Sequence, residues 1–232
     1  MIRRDLMKSN IATLHLTMNS SGEQKVIHPT LIWDDEDVIL IDTGVPCQLE
    51  VIRAEMENLG IPFSRLTKII LTHHDYDHIG SLPEILLKSE QKITVLAHHL
   101  AKPYIEGEKR LLKLKDDSHI VPPTARVDQL VDDEEVLPEC GGIKIIFTPG
   151  HTPDHISLYH LESKTLIAGD ATISVNGHLL GPNPHYTLDM NEANNSIGKL
   201  LEYELEQIIC YHGGVCKGSE IKRLEEIYYA NK

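Results

Sequence analysis

Five short apolar runs in this chain each close on an aspartate or a histidine: "LIDTG" on Asp42, "KIILTHHDYDH" on His73, "IKIIFTPGH" on His151, "TLIAGD" on Asp170 and "QIICYHGG" on His212. Isoleucine-rich runs of this length, ended by turn residues, predict buried strands. Buried strands that alternate with helical stretches predict a layered α/β fold. In such folds reactive side chains collect beyond the carboxyl ends of the strands.

The remaining pattern fits this scheme. Strands are expected over Ile11–Thr17, Thr30–Trp33 and Val38–Asp42, with the acidic "DDED" as a hairpin turn. A helix is expected over Pro46–Leu59, with Leu49, Ile52, Met56 and Leu59 on one face and Gly60 as its stop. The strand "KIILT", a helix near Pro83–Ser89 and the strand "ITVLA" follow. In the second half "GGIKIIFTPGH", "HISLYH" and "KTLIAGD" read as three strands. A helix over Glu192–Glu202 with Asn191 as N-cap, the strand "EQIICYHGG" and an amphipathic helix over Gly218–Tyr229 complete the chain. No repeat or Pro/Ser-rich linker divides it, so residues 1–232 are expected to form one domain.

Composition excludes several functions. The net charge of −13 disfavours nucleic acid, which needs clustered positive charge. No apolar run reaches the ~18 residues of a membrane span. The opening "MIRRDLMKSN" has no apolar stretch behind its charges, so a cytoplasmic protein is expected, with Cys47, Cys140, Cys210 and Cys216 as reduced thiols. There is neither a GxSxG nucleophile motif nor a GxxxxGK[ST] phosphate loop. A small-molecule substrate is the partner that remains, and the sequence leaves the oligomeric state open.

Histidine is the unusual component, at 14 residues. In extended backbone alternate side chains share a face, so His73, Asp75 and Asp77 point one way and His74 and Tyr76 another. A turn into helix near Asp77 would swing His78 toward the same centre. Imidazole nitrogen and carboxylate oxygen suit zinc, iron or manganese. Singly, an Asp that caps a turn or a His before Gly-Gly is ordinary structure. Together with His151, Asp170 and His212, the cluster completes a set able to hold two ions. His74 is left to support a ligand or to face solvent.

In this order, "LIDTG", "THHDYDH", "TPGHTPDH", "LIAGD" and "CYHGG" resemble the metallo-β-lactamase fold superfamily, from Leu40 to Gly214. The resemblance implies a four-layer αβ/βα sandwich of two mixed sheets flanked by helices, with metals at one edge of the facing sheets. It implies a first ion held by His73, Asp75 and His151, a second held by Asp77, His78 and His212, and Asp170 bridging them. Asp42 would support the metal loop, and His155 would brace it. One position departs from the family pattern: Asp75 stands where His-x-His-x-Asp-His has its second histidine, a variant shared by a subgroup of the superfamily's hydrolases. A carboxylate there makes the first site harder. Two divalent ions are expected, zinc first, with manganese or iron as alternatives.

The implied activity is hydrolysis of a small lactone or thioester by a hydroxide shared between the ions, with Asp77 also moving a proton. Phosphodiesters are disfavoured because the nucleic-acid-processing relatives carry additional domains. A β-lactamase is disfavoured because those enzymes are exported. The rival class is an iron-dependent oxidoreductase of the same fold, similar to the sulfur dioxygenases. Tyr186 and His185, in "GPNPHYTLDM", are candidates to donate to an oxyanion. The basic run "EKRLLKLK" (108–115) is expected to be a solvated helix face or an anion-attracting patch, with Leu111, Leu112 and Leu114 lining a pocket or an interface.

Overall fold

The computed structural model describes residues 9–20, 22–114 and 120–230. Residues 1–8, most of "MIRRDLMKSN", and Lys115 of the basic run lie outside the described residues. In chain order the elements are β1 (Asn10–Thr13), β2 (Leu16–Ser20), β3 (Glu23–Ile27), β4 (Thr30–Trp33), β5 (Val38–Ile41), α1 (Leu49–Asn58), β6 (Lys68–Leu71), α2 (Tyr76–Ile79), α3 (Leu82–Lys88), β7 (Thr94–His98), α4 (Lys102–Ile105) and β8 (Gln129–Val131). They continue with β9 (Val136–Leu137), β10 (Ile143–Phe147), β11 (Ile156–His160), β12 (Thr165–Gly169), β13 (Ile173–Val175), β14 (His178–Leu180), α5 (Met190–Leu200), β15 (Gln207–Cys210), β16 (Gly214–Lys217) and α6 (Arg223–Ala230).

Two six-stranded sheets form the body, in the orders β1-β4-β5-β6-β7-β8 and β16-β15-β12-β11-β10-β9. Both are mixed. In the first, β5 to β8 run parallel and β1, β4 and β5 antiparallel; in the second, only β12 and β15 pair in parallel. Period-two alternation sorts each strand between two cores. In β5 and β6, Leu40, Ile69 and Leu71 turn outward to meet Leu49, Ile52 and Met56 of α1 and Leu82 and Ile85 of α3. Ile39, Ile41 and Ile70 turn inward against Ile145, Ile156, Leu158 and Ile167 of the second sheet. The far face of that sheet, with Leu166, Ala168 and Ile208, packs on Ile197 and Leu200 of α5 and Leu224 and Ile227 of α6. The order helix, sheet, sheet, helix is the four-layer αβ/βα sandwich expected. Among the described residues, no helix is long and apolar enough to cross a membrane.

Several boundaries differ from the sequence reading. The expected strand Ile11–Thr17 is two strands, because the chain breaks at Leu14–His15 and continues into the hairpin β2–β3. Helix α1 begins at Leu49 rather than Pro46, and Leu59 sits at its end, 38% exposed. The N-cap of α5 is Asp189, whose carboxylate accepts the backbone N–H of Glu192; Asn191 is inside the helix. Asp189 has the geometry of a cap because its backbone is extended, which Asn191 lacks. The last helix divides into a 3-10 turn over Gly218–Lys222 and α6. The described part of the basic run is loop, not helix.

Candidate metal centre

Strands β5 and β6 end on one edge of the first sheet, and β10, β12 and β15 end on the facing edge of the second. Each end carries one of the predicted side chains. After β6 the chain bends at Thr72, is extended at Asp75 and then turns into α2, so the expected helical turn brings His78 back toward His73; their ring centroids are 4.0 Å apart. The turn is held by Thr43, whose N–H donates to the His78 carbonyl at 2.7 Å, and by Gly80, whose N–H donates to Gly44 O at 2.8 Å. Gly80 has to be glycine, because a Cβ there would lie 2.5 Å from Pro46 N.

All seven predicted ligands converge. His73, Asp75 and His151 place donor atoms within 4.8 Å of one another, as do Asp77, His78 and His212. Asp170 stands between the groups: its Oδ2 is 3.1 Å from His151 Nε2 and 3.4 Å from His212 Nε2, and its Oδ1 is 3.4 Å from His78 Nε2. Asp75 Oδ2 is 3.0 Å from His151 Nε2 and 3.2 Å from His73 Nε2, and Asp77 Oδ2 is 3.3 Å from His212 Nε2. Three buried atoms at this centre, His73 Nε2, His78 Nε2 and Asp170 Oδ1, have no hydrogen-bond partner.

Charge is concentrated accordingly. Burial works against ionised carboxyls, yet the imidazoles of His212, His151 and His78 hold Asp170 well below the usual carboxylate range. Asp75 is likewise held well below it against burial, by His73, His151 and Lys113. Burial also works against protonation of His212, but Asp170 and Asp77 overcome it and raise its pKa to about 10. His78 is raised well above its ordinary value against the same burial, by Asp42, Asp170 and Asp77. A proton and a divalent ion compete for these nitrogens, and the anionic surroundings favour either cation.

Surrounding residues aim the candidate ligands. Asp42, in the left-handed region at φ 63°, accepts from Thr72 N–H and Thr72 Oγ1 at 2.8 Å each, and from His78 Nδ1 at 2.8 Å. His78 therefore presents Nε2 to the centre. His155 braces the loop as expected. Its Nε2 accepts the Asp170 N–H at 2.9 Å and its Nδ1 lies 2.8 Å from Thr148 Oγ1. Burial and the neighbouring His151 lower its pKa to about 3, so it stays neutral. Gly150 is pressed onto the start of α5, where a Cβ would meet Ala193 N at 2.2 Å.

His74 points away from the seven, as its parity predicts, but it is fully buried rather than exposed. Its Nδ1 is 2.6 Å from Asp154 Oδ1, and its ring stacks on Tyr104 at 4.1 Å. Asp154, Thr72 and Tyr211 escape sequence reading. Tyr211, whose hydroxyl donates to the Asp77 carbonyl oxygen, packs on the His78 ring at 3.8 Å. Lys113 belongs to the basic run expected to be a solvated helix face or an anion-attracting patch; its Nζ lies 2.6 Å from both Asp75 Oδ2 and His151 Nε2.

A cavity of about 790 Å³ opens over the centre. Its lining includes Asp75, Asp77, His151, Asp170 and His212, with Tyr186 on the wall. His185 is exposed and is not among the residues that line it. Of the leucines in the basic run, Leu111 and Leu114 line the cavity and Leu112 is exposed.

Comparison with known proteins identifies the family. The metallo-beta-lactamase superfamily model matches residues 24–212. The chain is 34% identical to the Bacillus subtilis protein named "Probable metallo-hydrolase YflN" over 75% of each chain. A shorter match, 32% identical over 48% of this chain and 36% of the relative, is to a hydroxyacylglutathione hydrolase of Rhodopseudomonas palustris. Among solved structures, a metallo-beta-lactamase family protein from Thermus thermophilus superposes with a TM-score of 0.74 at 20% identity, covering 95% of this chain and 78% of that one.

Proposed function

The chain belongs to the metallo-beta-lactamase superfamily and to its metal-dependent hydrolases, and from that premise we propose that it holds two divalent ions and hydrolyses a small ester-like substrate, a lactone or a thioester. The observation that carries the two-ion reading is the set of buried orphans. Buried polar atoms are nearly always hydrogen-bonded. Here His73 Nε2, His78 Nε2 and Asp170 Oδ1 converge without an aligned hydrogen bond, although His78 Nε2 is 3.4 Å from Asp170 Oδ1 and His73 Nε2 is 3.2 Å from Asp75 Oδ2. Imidazole nitrogens and carboxylate oxygens that crowd a common point in this way fit a shared cation. In this reading His73, Asp75 and His151 hold the first ion, Asp77, His78 and His212 the second, and Asp170 touches both. Zinc suits the imidazoles; the Asp75 carboxylate moves the first site toward manganese or iron.

The ions, when bound, supply Lewis acidity and lower the pKa of coordinated water. The chain supplies the rest. Asp42 and His155 keep the ligands in one orientation and one tautomer, which supports metal affinity as much as the ligands do. Asp77, whose carboxylate borders the cavity, is placed to take a proton from the attacking water and return it to the leaving group. Tyr186, on the cavity wall, is the residue whose hydroxyl would donate to the carbonyl oxygen as negative charge develops there. The apolar part of the wall excludes water and receives an acyl group. The relative named for hydroxyacylglutathione hydrolysis supports an acyl substrate over a phosphodiester.

The test is metal analysis of natively purified protein, followed by lactones, thioesters, β-lactams and phosphodiesters with the metal found. About two ions per chain are expected, with turnover of lactones or thioesters. His151→Ala and His212→Ala should each lose about one ion. Full occupancy in both variants overturns the ligand assignment. Cleavage of phosphodiesters alone overturns the substrate class, and oxygen consumption in place of hydrolysis establishes the oxidoreductase.

A further inference from the structure

We infer that Lys113 is the residue by which this site selects an anionic acyl substrate, and that His74 is the residue that positions it. The inference rests on the hydrolase reading above and narrows its substrate class.

The cavity sorts by charge. Its acids are Asp75, Asp77 and Asp170, each a candidate metal ligand at the floor. Its two cations are Lys25 and Lys113. The wall is otherwise largely apolar, with Met18, Val26, Leu111, Leu114, Ile173 and Val175. In a chain with 35 acids against 22 lysines and arginines, it runs against the composition that, among the described lining residues, the charges other than the candidate ligands are both positive. Lys25 is exposed on β3, whereas Lys113 reaches the floor, 2.6 Å from Asp75 Oδ2 and His151 Nε2.

An ammonium has three donors and no acceptor. An ion held by His151 would take the single lone pair of its Nε2, whereas the Asp75 carboxylate has lone pairs to spare and can keep its bond to Lys113. The ammonium then stays at the floor of the cavity with donors that the candidate ligands do not fill. A carboxylate or phosphate brought in by the substrate is the acceptor that matches its charge. The chemical class is therefore an ester or thioester with an apolar acyl part and an anionic group near the scissile carbonyl.

Lys113 is held over the floor by its neighbours. Leu111 is 3% exposed and packs in the core shared with α4, which fixes the loop on one side. On the other, the Leu112 N–H donates to His74 Nε2 at 3.4 Å. His74 can accept there because its Nδ1 carries the proton toward Asp154 Oδ1, 2.6 Å away; its own N–H donates to Asp154 Oδ2 at 3.0 Å. Its ring lies flat on Tyr104 of α4, at 4.1 Å and 14°. His74 thus ties the loop of Lys113 to the loop of His73 and Asp75 without approaching the ions. That gives the second histidine of "THHDYDH" a task of its own.

The experiment uses metal-loaded protein and two matched probes: the S-phenyl thioester of a short diacid with its distal carboxylate free, and the same thioester with that carboxylate as a neutral amide. The readouts are the ratio of kcat/KM between the probes, metal content, and binding of the free diacid by calorimetry. A charge-assisted hydrogen bond corresponds to about a ten- to hundredfold preference for the carboxylate. Lys113→Met should bring the ratio close to unity, mainly through KM, and weaken diacid binding by a similar factor with both ions retained. Lys113→Arg should keep most of the preference. His74→Ala should lower the ratio with metal content unchanged; an unmoved ratio removes His74 from the scheme. A wild-type ratio near unity, or diacid binding equally tight in Lys113→Met, overturns the assignment of Lys113. If wild type hydrolyses neither probe, the thioester reading fails instead, and diacid binding still decides the role of Lys113.

Discussion

Asp42→Asn separates a residue that aims a metal ligand from one that merely closes a turn. The substitution is nearly isosteric, and asparagine tolerates the left-handed backbone that Asp42 adopts at φ 63°. The hydrogen bonds do not survive. Asp42 accepts three at 2.8 Å, from Thr72 N–H, Thr72 Oγ1 and His78 Nδ1. An asparagine offers one acceptor oxygen and an NH₂ that can only donate. In one orientation the NH₂ faces the Thr72 N–H and leaves a buried donor unpaired. In the other it faces His78 Nδ1, which must then accept, so the proton moves to Nε2, the atom proposed to bind the second ion. The first outcome forfeits a charge-assisted bond and strands a donor, about 2–4 kcal/mol together. The second should weaken metal binding by about ten- to a hundredfold, as expected when a residue that orients a ligand is lost. Urea denaturation in chelator measures the first quantity; competition against a chromophoric chelator measures the second. Metal affinity within about twofold of wild type would refute the aiming role, and unchanged stability as well would refute the hydrogen-bond accounting.

Other expectations concern separate features. Asp75→His exchanges an anionic oxygen for a neutral nitrogen and should shift metal competition toward zinc over manganese with the fold intact; indifference of both metal preference and metal content would mean that Asp75 is not a ligand. Gly150→Ala would bring a methyl to 2.2 Å from Ala193 N at φ 128°, so a loss of about 2 kcal/mol or more is expected in urea melts, and an unshifted midpoint would refute the close approach. His160 is fully buried, and that burial pulls its pKa below the ordinary value despite the Cys140 carbonyl, so the folded chain resists a proton that the unfolded chain accepts. Stability should therefore fall as pH drops below ~6.5, by at most about 1.4 kcal/mol per unit from this group. His160→Gln should flatten that part of the curve, and an equal slope would show that His160 is not its source.

The core was legible in the sequence through short-range periodicity, and the seven ligand candidates through their places at the ends of apolar runs and the motif order that the resemblance rests on. Leu40, Ile69 and Leu71 alternate with Ile39, Ile41 and Ile70, and the same parity separates His73, Asp75 and Asp77 from His74. What parity cannot say is what lies on the other side. His74 meets Asp154, 80 residues away in sequence, and that pairing turns an apparent surface residue into a buried one. The basic run was singled out as a solvated helix face or an anion-attracting patch, but the contact of Lys113 with Asp75 and His151 was not legible: "EKRLLKLK" has the composition of a helix, whereas Leu111 is drawn into the core and the described residues follow it as loop. The hairpin β2–β3 was missed because β3 is exposed except at Ile27 and carries little alternation, while the start of β2 was absorbed into the single strand expected over Ile11–Thr17. The cap of α5 was misplaced because Asp189 and Asn191 are equally good caps by type, and only the backbone geometry distinguishes them.

The proposed ligands are drawn from both sheets: four from the segment after β6, and the others from the ends of β10, β12 and β15. An ion bound among them is a cross-link between parts of the chain far apart in sequence, from His73 to His212. Such a cross-link can form only after the two halves have docked, so it cannot help either half to fold alone. It acts afterwards, as a latch on the finished structure. Holding the native state and not the unfolded one, it raises stability in proportion to the logarithm of free metal over its dissociation constant. Separately expressed halves would each carry an incomplete coordination sphere, and metal depletion would loosen the contact between the sheets before it melted either of them.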